Sequence, residues 1–166
     1  MLDNTAQQTA SLSQDEQAPN DNPTTDFLPL KLMKAAQGIQ LAFTRQLGED
    51  LDIGIAEWRL LTALDNQTDI AANEVAAIAG MDKVQVSRAV SRALGHRLVS
   101  RRRDQEDRRR TVLNLTDEGK KVVEASKPLA KKFDTALREK LGISGVAELE
   151  QQLNTLNKIA EQWLER

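Results

Sequence analysis

Residues 83–110 read KVQVSRAVSRALGHRLVSRRRDQEDRRR and hold ten of the 23 Lys and Arg residues of this 166-residue chain, against three acids. The other 138 residues contain 13 bases and 22 acids, so the formal charge of −2 conceals a local surplus of seven positive charges. Ordinary surfaces intersperse both signs of charge, and a surplus this concentrated indicates a polyanionic partner. An amphipathic stretch followed by two Arg triplets around an acidic bend fits nucleic acid best.

Two short helices joined by a tight turn are predicted at residues 72–79 and 83–97. Gly80 stops the first helix, and Asp82 stands where an N-cap would open the second. The spacing of Ala76, Gly80 and Val86 is typical of a helix-turn-helix, although two ordinary packed helices would also satisfy it. The polar face of the second helix decides between these interpretations, because it carries side chains suited to phosphates and base edges in a major groove: Lys83, Gln85, Ser87, Arg88 and Arg92.

A two-stranded ribbon is predicted after the second helix. Residues 98–102 and 111–115 are short strand candidates, and the Arg-rich bend at 104–110 joins them. This hairpin would stand beside the helix-turn-helix and carry most of the remaining positive charge.

Longer amphipathic helices are predicted on both sides of this region. Residues 26–51 form one, and residues 55–67 form a shorter one. Thr116 caps a further helix, in which Pro128 predicts a kink or a restart. A last helix follows the break at residues 142–145, with an apolar stripe that a second subunit would cover: Val146, Leu149, Leu153, Leu156, Ala160 and Trp163.

The ends and the composition of the chain set further limits. Residues 1–25 are acidic and polar with two prolines, which predicts a largely disordered tail. There is no apolar run long enough to span a membrane and no signal peptide, so we expect a cytoplasmic protein. The chain contains no Cys, which excludes disulfides and zinc–thiolate sites, and we expect no cofactor or metal.

Three stretches carry a resemblance to a known family: EWRLL at 57–61, the helix-turn-helix, and RLVSRRRDQEDRRRTVLNLTDEG at 97–119. With these stretches the chain resembles the MarR family of bacterial winged-helix transcription regulators over residues 26–166. The resemblance implies a mainly α fold with a small β-hairpin wing. It divides the chain into a tail (1–25), an N-terminal dimerisation helix (26–54), a winged helix-turn-helix lobe (55–115) and C-terminal dimerisation helices (116–166).

The resemblance also implies roles for individual residues. Val84, Gln85 and Arg88 fall where the family reads bases. Arg109 falls at the wing tip that enters the minor groove, with Arg108 and Arg110 beside it, and Asp107 falls where a carboxylate braces the wing.

An effector pocket is implied near Trp58, which the periodicity alone would place in the core. The family resemblance makes Trp58 a candidate wall of a pocket for a small aromatic or apolar molecule, with Lys34 and Arg59 as neighbouring cations. The absence of Cys excludes the cysteine-based peroxide sensing of some members. Residues 36–40 lack the basic side chains with which other members hold aromatic acids, which weakens the case for a carboxylate clamp.

Two functions remain after an enzyme is set aside. His96 is the only histidine and lies at a helix end, where a capping role is expected, and no phosphate loop or nucleophile motif is visible. The favoured function is a homodimeric, sequence-specific regulator of transcription, a repressor that binds a pseudo-palindrome in double-stranded DNA and responds to a small molecule. The alternative is a winged-helix module that docks an acidic protein partner without DNA. Arg109 favours the first, because a protein-docking wing has no need of Arg at its bend.

Overall fold

The computed structural model describes residues 26–65, 67–105 and 107–165, which fall into two units divided between Gln37 and Gly38. The elements are α1 (Leu28–Leu51), α2 (Ile55–Leu64), β1 (Ile70–Ala71), α3 (Ala72–Ala79), α4 (Lys83–Gly95), β2 (Val99–Arg103), β3 (Thr111–Leu115) and α5 (Asp117–Leu164). The predicted mainly α fold with a β-hairpin wing is confirmed. The prediction for residues 1–25 lies outside the described residues.

The first unit, within the described residues, is the start of α1. The backbone N–H groups of Leu30 and Lys31 donate to the carbonyl of Phe27, and Lys31 forms an ion pair with Asp26. Phe27, Leu28 and Met33 are exposed.

The second unit is built around α2. This helix packs against α3, α4 and α5, and its inward residues Leu60, Leu61 and Leu64 are almost completely buried. The core also takes in Leu47 from the end of α1 and Val75 from α3. Among the described residues, no helix combines the length and apolarity that crossing a membrane requires.

The turn between α3 and α4 forms as its sequence predicts. Gly80 adopts the left-handed conformation at φ 57°, and the N–H of Met81 returns to the carbonyl of Ala76 at 3.0 Å. Asp82 is the N-cap of α4: its carboxylate accepts from the N–H of Gln85 at 2.8 Å, and the Gln85 side chain accepts from the N–H of Asp82 at 3.3 Å. These reciprocal bonds fix where α4 begins.

The ribbon is part of a three-stranded antiparallel sheet in the order β1-β3-β2, and the strand β1 was not predicted. Ile70 and Ala71 pair with Leu113 and Val112 of β3. Two residues are too few for an alternating pattern to be recognised, and only the pairing makes them a strand. The paired strand β2 runs to Arg103, one residue beyond the prediction.

Two predicted helix ends were wrong. Helix α2 ends at Leu64 rather than Gln67, and α4 ends at Gly95 rather than Arg97. Arg97 takes φ 58° and the N–H of Leu98 donates to the carbonyl of Ala93 at 2.8 Å, so the chain has turned out of the helix by that residue.

Helix α5 passes through Pro128 with helical backbone angles and is interrupted only at Gly142, with φ 71° and ψ 168°. The restart predicted at Pro128 was therefore wrong, and the break predicted at residues 142–145 is confirmed. Proline lacks the N–H that would bond the carbonyl of Glu124, but Pro128 is exposed, so water can satisfy that carbonyl.

Candidate nucleic-acid interface

Helix α4 divides cleanly into a buried face and an exposed face. Val86, Ala89, Val90 and Ala93 are buried in the core. All six residues predicted to meet DNA are exposed: Lys83, Val84, Gln85, Ser87, Arg88 and Arg92. Val84 is 58% exposed although it is apolar, so the hydrophobic core does not account for its place on this face.

The wing tip is a tight turn held by a carboxylate. The N–H of Asp104 donates to the carbonyl of Arg110 and the N–H of Arg110 donates to that of Asp107, both at 2.9 Å. The side chain of Asp107 accepts from the N–H of Arg109 at 2.9 Å. Asp107 thus fixes the tip, from which Arg108 and Arg109 project into solvent.

The Arg residues of the wing fall into two groups that the sequence does not separate. Arg102 forms an ion pair with Asp69 at 2.5 Å, and Arg110 forms one with Glu74 at 2.5 Å. Within the described residues, the other cations of α4 and the wing form no ion pair: Lys83, Arg88, Arg92, Arg101, Arg103, Arg108 and Arg109. Their charge is available to a partner, whereas the charges of Arg102 and Arg110 are neutralised within the protein.

The exposed face of α4 and the wing lie on the same side of the unit. One open groove of about 590 Å³ is lined by Lys83, Ser87 and Ser91 from α4 and by Arg101 and Thr111 from the two long strands. A ligand that covered this groove would touch helix and wing together. That is the arrangement with which a winged helix meets a duplex.

The residues predicted for an effector pocket have separate surroundings. The indole N–H of Trp58 donates to Ser126 Oγ on α5 at 3.1 Å, and its ring meets that of Phe43 edge-on with centroids 4.9 Å apart. Arg59 Nε donates to the carbonyl of Ala79 at 3.0 Å, which caps the end of α3. Lys34 is exposed in the first unit.

Three acidic residues that matter to this surface were missed by the sequence analysis: Glu57, Asp69 and Glu74. Glu57 is 2% exposed, and its Oε1 lies 3.0 Å from Nδ1 of His96, which is the C-cap of α4. Glu74 is bonded by the N–H of Ala71 and by Arg110, and these bonds hold the pKa of Glu74 below its ordinary value. Each of Glu57 and Glu74 accepts from the N–H of the residue that precedes its helix, which is half of a capping box. The other half is missing because Gly54 and Ala71 have no side chain that can accept, so the sequence carries only a weak signal.

Comparisons with known proteins agree with this geometry. A model described as "MarR family" matches residues 51–110. The uncharacterized HTH-type transcriptional regulator YdgJ of Bacillus subtilis (strain 168) is 34% identical over 82 residues, 48% of this chain. The match spans half of the length of YdgJ. Residues 51–110 are therefore similar to the MarR family over the helix-turn-helix and most of the hairpin.

Solved structures of the same fold include one bound to DNA and one whose DNA binding responds to a small molecule. The transcriptional repressor CouR, bound to a 23-mer DNA duplex, superposes with a TM-score of 0.71 at 24% identity, over 82% of this chain and 96% of CouR. BpsR of Bordetella bronchiseptica, whose DNA binding is regulated by 6-hydroxynicotinic acid, superposes with a TM-score of 0.72 at 22% identity, over 80% of this chain and 94% of BpsR. At these identities the likeness establishes the fold.

Proposed function

We propose that this protein is a DNA-binding transcription regulator that binds a pseudo-palindromic operator as a homodimer and acts as a repressor. One observation carries the proposal: Lys83 and Ser87 from the exposed face of α4 and Arg101 from the wing border one groove. The start of α4 would enter a major groove, and the Arg109 tip would enter the adjacent minor groove. CouR, which shares the fold, was solved on a duplex.

The homodimer is supported by apolar side chains that the single chain leaves uncovered. Leu137, Leu141, Leu149 and Leu153 of α5 are between 36% and 46% exposed, and Trp163 is 75% exposed. Large apolar side chains exposed at helical spacing are expected to be covered by a partner, and a second copy presents a matching set. Two-fold symmetry would then set the two α4 helices about 34 Å apart, one turn of DNA.

Selection of bound duplexes from a random pool tests the proposal. We expect enrichment of an inverted repeat whose half-sites lie one turn apart. If about 6–10 phosphates are neutralised per dimer, affinity should fall by about 10³–10⁵ between 50 and 200 mM salt. The alternative, a wing that docks an acidic protein, predicts no enriched sequence.

Arg88→Ala and Arg109→Ala should have different effects on the selected operator. Arg88→Ala removes a proposed base contact and should cost about 1–3 kcal/mol while relaxing the preference at one position per half-site. Arg109→Ala should weaken binding most where the flank is A/T-rich, because a narrow minor groove concentrates negative potential. Binding of each variant to operators with A/T-rich and G/C-rich flanks measures the difference.

Lys121→Ala is the matched control for these two variants, because Lys121 is an exposed cation that already pairs with Glu118 on α5. It should bind as the wild type does. Equal losses on operator and random duplex for Arg88→Ala and Arg109→Ala would contradict the proposed readout.

We also propose that a small aromatic or partly apolar molecule binds beside Trp58 and weakens DNA binding. Phe43 of α1 contacts Trp58 of α2 edge-on and Phe133 of α5 at a tilt. A ligand that enters between these rings would change the packing of α2 on α5. The regulation of BpsR by 6-hydroxynicotinic acid supports this class of ligand. The effect requires unequal affinity for two arrangements of the protein, and a coupling of about 1–3 kcal/mol would lower DNA affinity about 5- to 150-fold.

Fluorescence titration with a panel of aromatic acids should find a compound that quenches Trp58 and releases operator. The titration is carried out in a Trp163→Phe background, which leaves Trp58 as the only tryptophan. A compound that quenches Trp58 while operator affinity stays constant would refute the switch for that compound.

A further inference from the structure

Two groups of ion pairs lie at the base of the wing and are linked by a hydrogen bond from Arg110 to the backbone carbonyl of Asp69. We call them together the wing-base cluster: Asp69, Glu74, Arg102, Asp104 and Arg110. Arg110 lies at its centre. Its guanidinium bonds Glu74 at 2.5 Å, lies 3.5 Å from a carboxylate oxygen of Asp104, and donates to the backbone carbonyl of Asp69 at 3.4 Å. The hydrogen bond to Glu74, together with the nearby carboxylate charges, holds the pKa of Arg110 above its ordinary value.

The cluster joins the wing to the helix-turn-helix rather than stabilising either one alone. Glu74 belongs to the first turn of α3, where its carboxylate also accepts from the N–H of Ala71 at 2.7 Å. Asp69 immediately precedes β1 and is bonded by Arg102 of β2 and by the Asn114 side chain of β3, the latter at 2.7 Å. One network thus connects the start of α3 with both strands of the hairpin.

The net negative charge of the wing-base cluster indicates that the cluster positions the wing. It holds three carboxylates and two guanidinium groups, a net negative charge beside the surface proposed to meet DNA. These carboxylates would repel phosphates, so a surface shaped only to attract DNA would lack them. The presence of these carboxylates is explained if they set the direction in which the wing points.

We propose that Glu74 and Arg110 are positioning residues: their ion pair fixes the wing on α3 so that Arg108 and Arg109 reach the minor groove, and Arg110 itself does not contact a phosphate. This inference rests on the proposed DNA binding. It departs from the expectation, drawn from the family resemblance, that Arg110 is a DNA contact beside Arg109. It also assigns the bracing of the wing to Glu74, leaving Asp107 to hold the turn at the tip.

The variant Glu74→Gln distinguishes the positioning role of the ion pair from the effect of removing one negative charge. Glutamine keeps an oxygen that can accept from the N–H of Ala71 but loses the ion pair with Arg110. Removing an acid should raise affinity for DNA by charge alone, whereas the proposed role predicts that operator affinity falls about threefold to tenfold, the size expected when an interacting network is broken. Glu118→Gln, which also breaks an exposed ion pair of a glutamate, is the control and should bind unchanged or slightly tighter.

The affinity lost on Arg109→Ala, compared between the wild type and Glu74→Gln, tests the positioning role. A purely structural role of Glu74 would leave that loss the same in both. In the Glu74→Gln background the wing no longer presents Arg109, so Arg109→Ala should cost less there than in the wild type. Arg110→Gln should lower operator affinity by as much as Glu74→Gln does. The double variant Glu74→Gln with Arg110→Gln should bind operator no more weakly than either single variant. Arg110→Lys should retain most of the wild-type affinity. Thermal denaturation of each variant checks that the fold is retained.

The outcomes distinguish failure of this inference from failure of the proposed function. Wild-type protein that binds no duplex refutes the proposed function and the inference with it. Wild-type protein that binds its operator while Glu74→Gln binds equally or more tightly refutes the inference alone, as does a cost of Arg109→Ala that is the same in both backgrounds. Amide exchange should be faster at residues 101–103 and 111–113 in Glu74→Gln than in Glu118→Gln, and equal exchange would show that the cluster does not hold the wing.

Discussion

Leu153→Glu is expected to convert the protein to monomers and to abolish binding to a two-half-site operator at concentrations where the wild type is saturated. Leu153 is 46% exposed in the single chain and lies on the apolar stripe of the final helical segment. In the proposed dimer it would be covered, and a carboxylate there would lose its hydration without gaining a partner. A monomer keeps its contacts to one half-site but loses the linked second one, which lowers affinity by about 10²–10⁴.

Sedimentation and operator titration at the same protein concentrations measure the two effects together. Gln151→Glu is the matched control, because residue 151 lies nearly opposite residue 153 on the helix and is also exposed. It adds the same charge and should remain dimeric. Monomeric wild type at micromolar concentration, or a Leu153→Glu variant that stays dimeric, would contradict the proposed interface.

Gly119→Ala is expected to lower the free energy of unfolding by about 1–3 kcal/mol, the usual range for overpacking. A Cβ at Gly119 would lie 2.0 Å from the carbonyl oxygen of Leu98. That oxygen cannot move freely, because it accepts from the N–H of Thr116 at 3.0 Å and from the Thr116 hydroxyl at 3.1 Å. Relief of the clash would break the bonds that seat the first turn of α5 against the start of β2.

Chemical denaturation at one fixed protein concentration measures this loss, since the stability of the proposed dimer would depend on concentration. Gly48→Ala is the control: Gly48 lies within α1, and a Cβ added there would meet no other atom within 4 Å. Ala at this position should stabilise the protein by about 0.5–1 kcal/mol. A Gly119→Ala variant as stable as the wild type would mean that α5 and β2 separate more easily than their hydrogen bonds indicate.

Features set by neighbouring residues could be predicted from the sequence, and features set by distant ones could not. Gly80 and Asp82 act within one turn of their own position, so the helix-turn-helix and the start of α4 were predicted correctly. Strand β1 exists only because Ile70 and Ala71 meet β3 more than 40 residues later. The break in α5 fell at Gly142 and not at Pro128, because an exposed proline costs one hydrogen bond that water can replace, whereas glycine permits a positive φ.

The candidate site shows the same limit at the level of single side chains. The exposed face of α4 follows from helical periodicity and was predicted residue by residue. The arginines of the wing look equivalent in the sequence, and only the structure separates Arg109, which is free of ion pairs among the described residues, from Arg110, which pairs with Glu74 across 36 positions of chain.

Helix α4 is tied to α2 near both of its ends. Arg59 of α2 bonds the carbonyl groups at the turn that precedes α4, and Glu57 of α2 lies against His96, which ends it. Because both ends of α4 are held in this way, we expect it to move together with α2 and α3 rather than on its own. Without an effector, the separation of the two α4 helices in the proposed dimer is set by the packing of these helices on α5. The protein would then be selective for the spacing of the half-sites, and it would bind weakly when one base pair is inserted between two correct half-sites.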